Sequence, residues 1–210
     1  MLQGEPGAKL SVNHLDTIFG IVRRGELTPE LARRGRDISP ERAQYLLDTA
    51  RHEAAHVVAA WACPEGCVIR VGVSPYARPR SRWPLPAYAR VCAALYEHEA
   101  FISLAGPVEE LIMARQRGTP LDERCRFASS TDIKSAKQEC KHAGIAPRDV
   151  GLSVLRFLND TRMAVDCMAV AILLLSNQSG QLNLSKLVRI RTWLAEYIPL
   201  YANHKPGKTI

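Results

Sequence analysis

From Ser39 onward the apolar residues fall into helical spacing. Leu47, Ala50, Ala54, Val57, Val58 and Trp61 recur at steps of three and four, which gives a helix one apolar face. Ser39 and Pro40 start it, because the serine oxygen can take an N–H left open at a helix N-terminus and proline has none to leave open. Pro64 and Gly66 end it. The β-branched run from Val68 to Val73, bounded by Gly66 and Pro75, then predicts a short strand.

Further along, residues 87 to 116 carry Val91, Leu95, Ile102, Leu111 and Ile112 and predict a second helical stretch, kinked at Gly106 and Pro107. Ser129-Ser-Thr-Asp132 predicts the start of a third helix, with Ile133, Ala136, Cys140 and Ala143 on its apolar side and Gly144 and Pro147 at its end. Leu152 to Ser176 reads as helical with a break near Asn159 and Asp160, and a last helix follows from Asn183 to Tyr197. Residues 1 to 38 offer only a short helical candidate, Pro29 to Arg34. The expected fold is mainly α with a small β element. It comprises an N-terminal extension (1–38), one domain (39–197) and a tail (198–210).

Composition agrees with a globular chain: 47% of the 210 residues are hydrophobic and 23% charged. The first 20 residues lack a basic flank followed by an apolar run, so no secretory leader is read there and a cytoplasmic location is expected. Cys167 to Leu175 is the longest apolar run and covers about half of the ~20 residues that a membrane-spanning helix needs. Six cysteines in such a chain read as reduced thiols. Cys63 and Cys67 are close in sequence, but no second Cys/His pair at ligand spacing completes a structural zinc site.

The net charge of +7 speaks to association and solubility rather than to chemistry. Its densest part, Arg78, Arg80 and Arg82 beside Trp83, lies in a proline-rich stretch that reads as a solvated loop, so nucleic acid is not an expected partner. Gly207-Lys208-Thr209 imitates the end of a phosphate-binding loop. Ala202 stands where that loop needs its first glycine.

The chemistry is carried by His52-Glu53-Ala54-Ala55-His56. Residues four apart on a helix share a face, so both imidazoles can reach one metal ion, and the glutamate between them stands beside it. Chance would place this pattern in a chain of this composition about once in a hundred. Zinc with three protein ligands keeps a position for water and lowers that water's pKa to about 7, which makes Glu53 the expected general base. Spacing leaves the third ligand open among Glu97, His98, Glu99, Glu109, Glu110 and Asp132. For Asp132 a capping role with Ser129 is the alternative.

Three blocks in order, Arg51-His-Glu-Ala-Ala-His-Val-Val, Leu104-Ala-Gly-Pro-Val-Glu-Glu-Leu111 and Ser129-Ser-Thr-Asp-Ile-Lys-Ser-Ala136, resemble the peptidase domain of FtsH-type membrane AAA proteases. The resemblance spans about residues 39 to 195 and departs from the family at Ala55, where glycine is usual, and at Pro107, where arginine is usual. It implies a helical zinc metallopeptidase domain with Zn2+ on His52, His56 and Asp132, and Glu53 as base. Glu109 or Glu110 would then orient a histidine from behind.

The implied activity is hydrolysis of flexible or unfolded polypeptides, with Val68, Ile69, Arg70 and Val71 as a strand that an extended substrate could join. No ATPase module or membrane span is read in this chain, so a separate ATPase is an admissible partner and a homo-oligomer an admissible assembly. The alternative is a catalytically silent zinc-binding regulatory protein on the same fold.

Overall fold

The computed structural model describes residues 12–25, 39–73, 87–118, 123–176 and 181–204. Among them are seven α-helices and one small antiparallel sheet: α1 (Val12–Arg24), α2 (Pro40–Ala62), β1 (Cys67–Val73), β2 (Ala87–Cys92), α3 (Tyr96–Arg117), α4 (Glu123–Ala143), α5 (Pro147–Asp160), α6 (Arg162–Leu175), β3 (Gln181–Leu182) and α7 (Leu184–Leu194). The chain is therefore mainly helical with a small β element. No described helix is long and apolar enough to cross a membrane.

Helix α2 is the centre of the molecule. It packs against α3, α6 and both long strands, and Ala43, Ala50, Ala54, Ala55, Val57, Val58, Ala59 and Ala60 along it are fully buried. That many alanines let neighbouring backbones approach closely, while Ser39 Oγ accepts from the Arg42 N–H at the N-terminus as the sequence suggests. On the far side α3 packs against α4 and α5, and Phe101 meets Phe157 edge-on, with ring centroids 5.2 Å apart.

Several expectations change here. Within the expected N-terminal extension, Leu15, Ile18 and Ile21 of α1 are buried in the same core and α1 packs on α6. The candidate at Pro29 to Arg34 lies outside the described residues, as do Arg78, Arg80, Arg82, Trp83 and Gly207-Lys208-Thr209. The tail also contributes, since Tyr201 is buried against Phe101 and His98.

Residues 87 to 92 form a strand rather than the start of a helix, because pairing with β1 overrides their weak helical pattern. Helix α3 runs unbroken through Gly106 and Pro107. Helix α4 begins six residues before Ser129, so Ser129 and Asp132 sit inside the helix and the capping role is excluded.

The sheet order is β2-β1-β3. β1 is thus the central strand, with Val71 paired to Ala89 on one side and to Leu182 on the other. Of the strand expected to receive substrate, Val71 is covered on that side by β3, whose register reaches only Val71 and Gly72, while Val68, Ile69 and Arg70 have no strand partner there among the described residues. The outer edge of β2 is likewise without a strand partner among them.

The turn that throws β1 back across α2 depends on Gly66. A Cβ there would lie 1.9 Å from the Ala60 carbonyl oxygen, a backbone atom that cannot swing aside. Gly66→Ala is expected to cost about 2 kcal/mol or more, a fall in Tm of at least about 4 °C for a domain of this size. An unchanged thermal transition would show that the turn yields.

Candidate metal centre

Three helices each bring part of the centre. His52 and His56 lie one turn apart on α2, with their Nε2 atoms 3.2 Å from each other. Asp132 comes from the middle of α4, its Oδ2 3.2 Å from His52 Nε2 and 3.6 Å from His56 Nε2. Among the described residues this is the one group of three such side chains whose ligand atoms converge.

The spacing suits a small divalent ion. Zinc bonds of about 2.0–2.1 Å in a tetrahedron set the donors about 3.3–3.4 Å apart, and the three separations of 3.2, 3.2 and 3.6 Å bracket that edge. Two imidazole nitrogens and one carboxylate oxygen are also the donor chemistry zinc takes in sites that retain an open position.

The remaining ring nitrogens fix the orientation. His56 Nδ1 lies 2.7 Å from the Ile102 carbonyl oxygen of α3, an acceptor only, so Nδ1 carries the hydrogen and Nε2 is left as a donor to metal. His52 Nδ1 lies 2.8 Å from Glu110 Oε1. Of the two glutamates, Glu110 faces a ring nitrogen of His52.

Glu109 does not. It is fully buried and points the other way, paired through both carboxylate oxygens with the Arg162 guanidinium of α6. Arg162 also reaches Asp166 at 3.4 Å, and Asp166 accepts from Arg51 Nε at 2.8 Å. This chain of charges ends on the residue before His52.

Of the other eligible ligands, His98 packs edge-on against Tyr201 and Glu99 Oε1 accepts from the Ala93 N–H at 2.6 Å. Neither they nor Glu97 belong to the converging group.

The electrostatics favour a cation. Burial opposes the charged form of His52, but contacts with Asp132 and Glu110 and the charge of Glu53 outweigh it and lift the imidazole to about 10 in the metal-free chain. Burial also opposes ionisation of Asp132, yet hydrogen bonds from the two histidines hold its carboxyl well below the ordinary value. Glu53 is pushed up by burial, with the two imidazoles working against the shift. Its carboxylate accepts a hydrogen bond from the Ala89 N–H of β2.

One participant carries no side chain and was not legible as part of the site. Gly106 of α3 faces the imidazoles so closely that a Cβ would lie 2.4 Å from His56 Nε2 and 2.5 Å from His52 Nε2. A methyl group there would take the room beside the two nitrogens that a metal needs. The sequence marks Gly106 only as a helix breaker beside Pro107; nothing in its spacing indicates which atoms it faces.

No model of a known protein family matches this chain, and no curated protein and no solved structure matches it either.

Two outcomes follow from this geometry. Gly106→Ala should lower zinc affinity by more than the roughly 10–100-fold that loss of an orienting partner costs, measured by calorimetry with circular dichroism to verify the helices. Alanine ordinarily favours a helix over glycine, so a folded variant with unchanged affinity would remove Gly106 from the site.

The second outcome concerns protons. Below pH about 10 a metal must displace the proton that His52 holds, so apparent zinc affinity should rise with pH by up to about tenfold per unit. Calorimetry near neutral pH in buffers of different ionisation heat reads the released proton directly. Binding heats that do not depend on the buffer would contradict it.

Proposed function

We propose that this chain is a zinc-dependent endopeptidase acting on flexible or unfolded polypeptide segments. The observation that carries the reading is the convergence of His52 Nε2, His56 Nε2 and Asp132 Oδ2 at tetrahedral spacing, with a buried glutamate next to His52 in the chain. His52, His56 and Asp132 would hold the zinc ion, which would supply a Lewis acid able to lower a water's pKa to about 7.

The chain's own residues do the rest. Glu53, pushed up by burial, accepts the water's proton on its carboxylate and returns it to the leaving amine; a base raised toward neutrality is better placed for both transfers than an ordinary carboxylate. Glu110 and the Ile102 carbonyl hold the two imidazoles with Nε2 turned inward. The Ala89 N–H keeps Glu53 from turning away from the centre.

Substrate would lie along the outer edge of β2. The outer edge of β2 offers backbone groups to an extended chain, a mode of binding that tolerates many sequences. Since Ala89 supports Glu53, a polypeptide on that edge would run past the base. The three sequence blocks that resemble FtsH-type peptidases point to the same class of fold and substrate, with a separate ATPase as the partner that would deliver unfolded chains.

Digestion of an unfolded protein such as casein tests the reading. Glu53→Gln should retain one zinc per chain and lose activity by about 10²–10⁴-fold, the range general bases supply. Asp132→Ala should lose zinc, and Glu110→Gln should bind it about 10–100-fold more weakly. Equal turnover by the parent and Glu53→Gln would remove the assigned base. Stoichiometric zinc with no turnover on any unfolded substrate would favour a regulatory protein that keeps the metal for stability.

A further inference from the structure

Two cysteines far apart in sequence meet in the sheet. Cys67 opens β1 and Cys92 closes β2; they are direct partners in the antiparallel register, and their sulfurs stand 2.7 Å apart. Opposed residues of such a ladder have Cα atoms about 4.5–5.5 Å apart, inside the window of about 4.4–6.8 Å that a disulfide spans. Register places the two side chains on the same face of the sheet. The sulfur separation adds that both are turned toward each other.

Access singles out the same pair. Cys67 is exposed and Cys92 partly so, whereas Cys63, Cys140 and Cys167, the other described cysteines, are buried. Burial pushes the thiols of Cys63 and Cys167 up to about 12 and raises that of Cys140. Those three stay protonated and out of reach of an oxidant in solution. Cys63 and Cys67, neighbours in sequence, thus have opposite environments: one closes α2 inside the core, the other faces solvent at the sheet edge.

We propose that Cys67 and Cys92 are a disulfide-forming modification site, oxidised by exchange with a low-molecular-weight disulfide of the glutathione type. The Cys67 thiolate attacks one sulfur of that disulfide, forms a mixed disulfide and releases the first thiolate. The Cys92 thiolate then attacks Cys67 Sγ, the mixed bond breaks, and the second thiolate leaves. In sum, two protein thiols are oxidised to one disulfide and one small disulfide is reduced to two thiols, with the protons of the protein thiols passing to the departing sulfurs.

The bond would fasten the end of β2 beside the metal centre. Ala89 N–H supports Glu53 and Ala93 N–H is held by Glu99, so Cys92 lies between two points at which β2 is already tied to helices α2 and α3. Closing residues 67 to 92 into a covalent loop also restricts the unfolded chain, which raises stability. The proposal stands whether or not the centre hydrolyses peptides, because its readouts are the covalent bond and the hairpin.

The experiment equilibrates the full chain in a series of reduced and oxidised glutathione mixtures, quenches in acid, alkylates, and maps peptides by mass spectrometry. The expected result is a linked peptide joining Cys67 to Cys92, with Cys63, Cys140 and Cys167 alkylated after denaturation. A Tm several degrees above that of the reduced chain and slower amide exchange at Ala89 should accompany it. Cys92→Ser should stop at a glutathione adduct on Cys67, and Cys67→Ser should leave the sheet thiol unlinked. Parent chain that stays reduced at every ratio, accumulates the Cys67 adduct without closing, or links either cysteine to a different one overturns the proposal.

Discussion

The centre exists because α3 can lie almost against the imidazoles of α2. Where most helix pairs keep axes 8–10 Å apart through interposed side chains, Gly106 presents bare backbone to His52 and His56. The approach has two effects at once. It leaves a space beside the Nε2 atoms, and it brings the Ile102 carbonyl and the Glu110 carboxylate within reach of the Nδ1 atoms. One small residue thus sets both the room for a cation and the orientation of the groups that would hold it.

Such closeness needs support from behind, and the charge chain Arg51–Asp166–Arg162–Glu109 supplies it. Burial pushes the Glu109 carboxyl up while Arg162 works against that, so the pair tolerates burial only by staying together. Removing one partner of a buried ion pair typically costs about 3–5 kcal/mol, whereas an apolar replacement of both can be neutral. Its value here lies in register: it joins α2, α3 and α6 at the level of His52, and a one-residue slip of any of these helices would separate the pairs.

The sequence made the pairing of His52 and His56 legible because helix periodicity is a local property: their spacing puts them on one face whatever surrounds them. The order of helices from Leu152 to Tyr197 was legible for the same reason. Contacts set by distant segments were not. Nothing local says that residues 87 to 92 would pair with Cys67–Val73, that Leu15, Ile18 and Ile21 would enter the core, or that of the adjacent Glu109 and Glu110 one faces Arg162 and the other His52.

Adjacent residues on a helix point about 100° apart, so the two glutamates had to serve different neighbours; only the packing of α6 decided which. Asp132 emerges at the triad from the middle of α4, where no cap needs it.

Glu53 shows how the centre reconciles opposing demands. The base proposed for Glu53 would work best with a pKa near the ambient pH, which calls for burial, but a buried carboxylate without a partner is costly and tends to turn toward any available donor. The two imidazoles and the Ala89 N–H reduce that cost without cancelling the upward shift. The support from Ala89 is a backbone group of an edge strand, so the orientation of the Glu53 carboxylate depends on how firmly β2 is held against β1. With Cys67 opposite Cys92 at the end of that pairing, the disulfide proposed there would tighten the hairpin from which the Ala89 N–H reaches Glu53, through two sulfurs that lie outside the His52–His56–Asp132 cluster.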